Sequence, residues 1–361
     1  MLPYSFFPYA CFLLATTFVF SGGPRSSIMV ELSSCGLCFF LLLPASAIAA
    51  GGQLRHNFYE SSCPSAESVV RLIVEDFYRY DHSVVAGLIR LFFHDCFVTG
   101  CDGSILLDET PSGEPVEKAS PGNVGLNGEQ VIDVAKSFLE RLCPGTVSCA
   151  DILAFASRDA AVVFGIPSYP VAGGRRDGTD SRAEQVGQEL PKPFFDAERQ
   201  TEMFEKKGFT QREMVVLAGA HSIGGAHCSS FQYRLYNHSA GRALDPYIKR
   251  NYALHLKQRC PVAGALYSLQ PVNPGMKVGF GEEVGQRLDG SYYGGLLRGE
   301  GLLESDQALV KERTTRQLVR NMSKHPGKWA QEFAQAMEKL GKVDVLTGDE
   351  GEVRKVCRFV N

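Results

Sequence analysis

Beyond residue 50, apolar residues recur at three- and four-residue intervals, and alternating apolar–polar runs are scarce. Ser65 is placed to cap a helix with Val69, Val70, Ile73, Phe77 and Tyr80 on one side. A second helix is expected over about Ser83 to Phe97. A third lies near Gly128 to Leu142, with Val131, Ile132, Ala135, Phe138 and Leu142 in step. Ser148 to Asp151 has the form of a capping-box variant and opens a fourth that Gly165 and Pro167 stop. Thr210 to Glu213 has the form of a full capping box, and its helix carries Met214, Leu217, Ala218 and His221 on one face before Gly224 and Gly225. Near the C-terminus, Trp329, Phe333, Met337 and Leu340 form a stripe that ends at Gly341. Gly- and Pro-rich connections, such as 111–128 and 190–193, separate these elements. The pattern predicts a mainly α fold without repeats.

Two apolar runs precede residue 50, Phe6 to Phe20 and Leu37 to Ala50. Neither reaches the roughly 20 apolar residues of a spanning helix, and Pro44 interrupts the second. Ala47-x-Ala49 resembles a signal-peptidase site. A leader is therefore expected over 1–50, cut near Ala49 to Gly52, leaving a mature chain over 51–361 with no membrane partner. Cys11, Cys35 and Cys38 fall in the leader. Cys63, Cys96, Cys101, Cys143, Cys149, Cys228, Cys260 and Cys357 remain, an even set that in an exported chain implies disulfides. Spacing alone does not pair them, and no CxxC supports zinc. The acceptor triplets at Asn237 and Asn321 agree with export. With 37 basic and 40 acidic residues, no basic excess recruits nucleic acid. A hydrophobic share of 44% is that of an ordinary globular chain and excludes a disordered one.

Candidate chemistry concentrates in RLFFHDCFVTGCDGSILLD, residues 90–108. Arg90 and His94 are four apart, so a helix puts both on one face. Alone, the pair also reads as a core imidazole beside a cation reaching solvent. Asp95, Asp102 and Ser104, bracketed by Cys96 and Cys101, read as a hard-cation site or as a solvated turn held by a disulfide. In MVVLAGAHSIGGAHC, residues 214–228, His221 is either a satisfied core residue or a ligand. Its small neighbours Ala218, Gly219 and Ala220 leave room for a flat group.

Taken with VEKASPGN (116–123), CPGTVSCADILAFASRDA (143–160), GGRRDG (173–178), LPKPFF (190–195), LAGAHSIG (217–224) and GLLESDQAL (301–309), these segments resemble the class III plant haem peroxidases. The resemblance runs from NFYESSCP at 57 to VCRFVN at 356. It implies haem b held between a distal half, about 51–190, and a proximal half, about 191–361. By that resemblance His94 is the distal base, Arg90 the distal cation, Phe93 the wall of the distal pocket and Asn123 the acceptor behind His94. His221 is the iron ligand, Asp306 its carboxylate partner, and Pro191 marks the donor entrance. Asp95, Asp102 and Ser104, with the carbonyls of Val98 and Gly100, form a distal calcium shell that Glu117 links to the distal side. The implied disulfides are Cys63–Cys143, Cys96–Cys101, Cys149–Cys357 and Cys228–Cys260.

A second, proximal calcium is implied at Ser222 and Asp289. Gln270 and Asn273 stand where the family carries Asp and Thr, and neither supplies charge. Glu282 or Glu283 is placed to compensate. Tyr169 stands where relatives often carry Trp, and Trp329 reads as core. The expected activity is reduction of hydrogen peroxide to water with one-electron oxidation of small phenolic donors, by a monomer secreted from the cell, with the vacuole less favoured. The alternative is a catalytically silent wall protein of the same fold. The presence of all five residues Arg90, His94, Asn123, His221 and Asp306 disfavours it.

Overall fold

A computed structural model describes residues 53–261, 275–280 and 287–361. The expected cleavage site and Gln270, Asn273, Glu282 and Glu283 lie outside the described residues. Helices dominate: α1 (Ala66–Tyr80), α2 (His82–Val98), α3 (Glu129–Leu142), α4 (Cys149–Val163), α5 (Ala183–Glu189), α6 (Ala197–Lys206) and α7 (Gln211–Ala218). There follow α8 (Tyr233–Tyr236), α9 (Arg250–Arg259), α10 (Ser291–Leu297), α11 (Glu304–Ala308), α12 (Arg313–Lys324) and α13 (Pro326–Leu340). Among the described residues, the one sheet is an antiparallel pair, β1 (Gly225–His227) and β2 (Lys277–Gly279), with Ala226 opposite Val278.

Helix α4 packs against α1, α2 and α3. Its residues from Cys149 to Ala161 are all buried, so it reads as apolar nearly all round. Helix α7 packs on α12 and α13. There Trp329 is fully buried, and its indole N–H donates to the Val216 carbonyl at 3.1 Å. The main hydrophobic core takes residues from Tyr59 to Cys357, and a smaller one gathers Cys228, Phe231, Leu235, Leu256 and Cys260. Four disulfides join Cys63–Cys143, Cys96–Cys101, Cys149–Cys357 and Cys228–Cys260, the pairs that the resemblance implies.

Several local expectations need correction. Ser65 sits at the N-cap of α1, but its side chain makes no cap bond. The buried face of α1 is Ala66, Val70 and Val74, and Tyr80 is 83% exposed. In α3, Phe138 and Leu142 face solvent, and Leu139 is the buried member. One residue is about 100° of helical turn, so a stripe placed one position off rotates out of the core. Ser148 accepts from the Asp151 N–H at 3.1 Å as a cap. The Asp151 carboxylate does not return to it; it takes the Tyr59 hydroxyl and the buried Arg175 guanidinium. The Thr210–Glu213 capping box is complete. Its α-helix stops at Ala218, and His221 lies on the 3-10 turn Gly219–Ser222 that follows. Gly219 allows that tightening, because a Cβ there would lie 2.7 Å from Trp329 and Tyr293 atoms.

Candidate haem and calcium sites

Asp81 caps α2 by accepting from the Ser83 and Val84 N–H groups, which fixes the helix phase that presents Arg90 and His94 together. Arg90 Nε–H donates to His94 Nε2 at 3.2 Å, and Arg90 Nη2 reaches the Gly122 carbonyl at 3.3 Å. Behind the ring, His94 Nδ1 lies 2.6 Å from Asn123 Oδ1. Asn123 Nδ2 donates to the Glu117 carbonyl at 2.9 Å, which settles which end of the amide faces the imidazole. Nδ1 of His94 therefore carries the proton, and Nε2 keeps its lone pair. Burial pushes the His94 pKa down to about 3, with the Arg90 guanidinium adding the next largest push and His221 a further one. The ring is neutral throughout the physiological range. Phe93 stacks on Phe97 at 4.5 Å and meets His94 edge-on at 6.1 Å.

Across from it, His221 Nδ1 lies 2.7 Å from Asp306 Oδ1. A carboxylate has no proton to give, so Nδ1–H donates and Nε2 is left with its lone pair. Phe280, just past β2, lies parallel to the His221 ring at 4.3 Å. Tyr292 donates its hydroxyl to Asp306 Oδ1 at 3.0 Å. Neither residue is among those the sequence marks for the site. The tyrosine pair after Asp289 was the one visible signal; Phe280 had none. The two imidazoles, each held by a buried partner at Nδ1 that leaves Nε2 unprotonated, with Arg90 donating to that of His94, are a donor set that fits a haem with one axial ligand and one distal base. Pro191 is half-buried directly after Leu190, whose side chain borders Gly122. Pro191 therefore follows a residue that touches the loop carrying Asn123.

The second group lies just beyond α2. Asp95, Ser104 and Glu117 are fully buried and Asp102 nearly so. Asp95 accepts from the Gly103 N–H at 3.0 Å and the Ile105 N–H at 3.4 Å. Asp102 accepts from the Ser104 N–H at 3.0 Å and the Thr99 hydroxyl at 3.3 Å. The carbonyls of Val98 and Gly100 are engaged by Lys207 Nζ at 3.4 Å and the Asp102 N–H at 2.8 Å. Burial, then Asp102 and Glu117, holds the Asp95 carboxyl well above the usual range; burial raises Asp102 too and takes Glu117 to about 8. Glu117 Oε2 is buried without a hydrogen-bond donor. Three crowded buried carboxyls with an orphan acceptor fit an oxygen-ligated cation such as calcium. Gly178 of the GGRRDG segment closes this shell, since a Cβ there would meet Asp102 Oδ2 at 2.3 Å.

On the proximal side Ser222 and Asp289 are neighbours: the Asp289 N–H donates to Ser222 Oγ at 3.1 Å. Among the described residues, one trio of ligand atoms clusters within 4.8 Å, at His238, Asp245 and Glu304. Arg234 already pairs with Asp245 and Lys311 with Glu304, so that cluster lacks spare charge for a metal.

The family model described as Peroxidase matches residues 70–325. Peroxidase 5 of Vitis vinifera is 42% identical over 326 residues, covering 90% of this chain and 97% of that protein. Peroxidase 1 of Zea mays is 42% identical over 340 residues, covering 93% and 89%. Peroxidase 3 of Arabidopsis thaliana is 42% identical over 325 residues, covering 90% and 96%. The chain belongs to the peroxidase family, in its class III plant branch.

Proposed function

We propose that this chain is a secreted haem peroxidase that reduces hydrogen peroxide to water and oxidises small phenolic donors by one-electron steps. The observation that carries the reading is the chain Glu117 carbonyl, Asn123, His94, Arg90, which presents a neutral His94 Nε2 beside a permanent cation. His221 would hold the iron through Nε2, with Asp306 strengthening it as a donor. Haem b, when bound, supplies the redox-active iron and the electrons that cleavage of the O–O bond consumes.

His94 takes a proton from one peroxide oxygen and returns it to the other, so the departing oxygen leaves as water. A base with a pKa near 3 is neutral when peroxide arrives and passes the proton on readily. Arg90 faces the charge that develops on the departing oxygen. Phe93 walls the pocket, and donors approach near Pro191. Asp95 and Asp102, with Ser104 and the Val98 and Gly100 carbonyls, would hold one calcium, and the buried Glu117 would link that shell to the distal side. That ion would brace the Glu117 carbonyl on which Asn123 rests.

The leader pattern over 1–50 and the four disulfides support delivery outside the cell, with the mature chain beginning near residue 51. No helix among the described residues is long and apolar enough to cross a membrane. Refolding with haem and calcium tests the reading. A Soret band together with peroxide-dependent oxidation of guaiacol is expected. Protein that stays colourless with excess haem contradicts it.

A further inference from the structure

Asp306 Oδ1 serves two donors at once: His221 Nδ1–H at 2.7 Å and the Tyr292 hydroxyl at 3.0 Å. Its other oxygen accepts the Leu303 N–H at 3.3 Å. Tyr292 is buried at the start of α10, edge-on to the His221 ring at 6.2 Å, and donates to Asp306 alone. The peroxidase reading uses Asp306 and His221 but gives Tyr292 no part.

A carboxylate oxygen that already accepts one hydrogen bond is a weaker acceptor for a second, because each donor draws on the same lone-pair density. The Tyr292 hydroxyl therefore competes with His221 for Asp306 Oδ1. The less Asp306 pulls on the Nδ1 proton, the less imidazolate character His221 has, and the weaker a donor its Nε2 becomes. We propose that Tyr292 is a positioning residue that acts through Asp306 to limit how strongly His221 donates to the haem iron, and so raises the iron's reduction potential. This rests on the reading of His221 as the iron ligand. Burial and the adjoining Asp306 hold the Tyr292 pKa well above its ordinary value, so its proton stays available for donation at any working pH.

The experiment uses the full haem-loaded protein and reads the ferric–ferrous reduction potential and the iron–histidine stretching frequency of the ferrous form. In Tyr292→Phe the potential falls and the frequency rises, because Asp306 then serves His221 without a rival. Replacing Tyr292 with 3-fluorotyrosine keeps the shape, makes a stronger donor, and shifts both readouts the opposite way. A Tyr292→Phe protein whose potential and frequency match the wild type, or move oppositely, overturns the proposal. Should Tyr292→Phe fail to fold, the fluorinated protein decides alone, and unchanged readouts there count against the proposal. A His221→Ala control separates the two levels. If it keeps the wild-type ferrous spectrum, the ligand reading itself has failed, whatever Tyr292 does.

Discussion

Asn123 ties the two candidate sites together through a single amide: its Oδ1 meets His94 Nδ1 at 2.6 Å, and its Nδ2 meets the Glu117 carbonyl at 2.9 Å. An Asn123→Asp change puts a carboxylate behind the imidazole and favours its charged form. The His94 pKa, held at about 3 by burial and Arg90, rises. Stopped-flow rates with peroxide are then flat from about pH 5 to 8 in the wild type. In Asn123→Asp they fall off on the acid side, at a pH above the wild-type limit.

Removing the base has a larger effect. His94→Ala is expected to slow the reaction with peroxide by about 10²–10⁴-fold while haem stays bound. The Soret band checks retention, and single-turnover mixing checks the rate. A rate within twofold of wild type rejects His94 as the base.

Calcium removal links the two sites in function. Without a cation, the buried carboxyls Asp95, Asp102 and Glu117 repel one another. Chelation with EGTA is expected to lower the melting temperature and also to slow the peroxide step, since Glu117 supports Asn123. Differential scanning calorimetry and stopped-flow measurements on the same samples test the pair. Loss of neither removes the distal ion from the account.

Asp159 offers a pH effect away from both sites. It is buried beside Arg158 at 2.6 Å, and burial outweighs that pairing and lifts its pKa to about 6. The native state then binds a proton more tightly than the unfolded chain between about pH 4 and 6. The contribution of Asp159 to stability is greatest below that window and falls as pH rises through it, by on the order of 2–3 kcal/mol. Urea unfolding at a series of pH values should show the fall in the wild type. Asp159→Asn should make it smaller.

The two acceptor triplets should behave differently. Asn237 is exposed just past α8, whereas Asn321 is half-buried inside α12. Glycan is expected on Asn237 and not on Asn321. Peptide mass spectrometry of protein secreted from plant cells reads this directly.

Local order was legible in the residues themselves. The Thr210–Glu213 box, the Trp329 to Leu340 stripe and the Arg90–His94 spacing depend on neighbours within a turn or two, and all three stand in the fold. The class was legible too, because seven ordered motifs recur in register. Stripe phase was less secure. Val70 and Val74, rather than Tyr80, face the core of α1, since a single helix turn offers several apolar residues and only the packing partner, here α4, selects among them.

What the chain determined by itself is the set of helices, the cysteines available for pairing, and the residue types able to do acid–base and iron chemistry. Tertiary structure alone decided which atoms meet. Asn123 reaches His94 across 29 positions, Asp306 reaches His221 across 85, and Phe280 lies flat on His221. No local period encodes such contacts. A hydrogen bond between distant side chains exists only once packing has brought two backbones to a fixed separation, and the tautomers of both histidines are set at that moment.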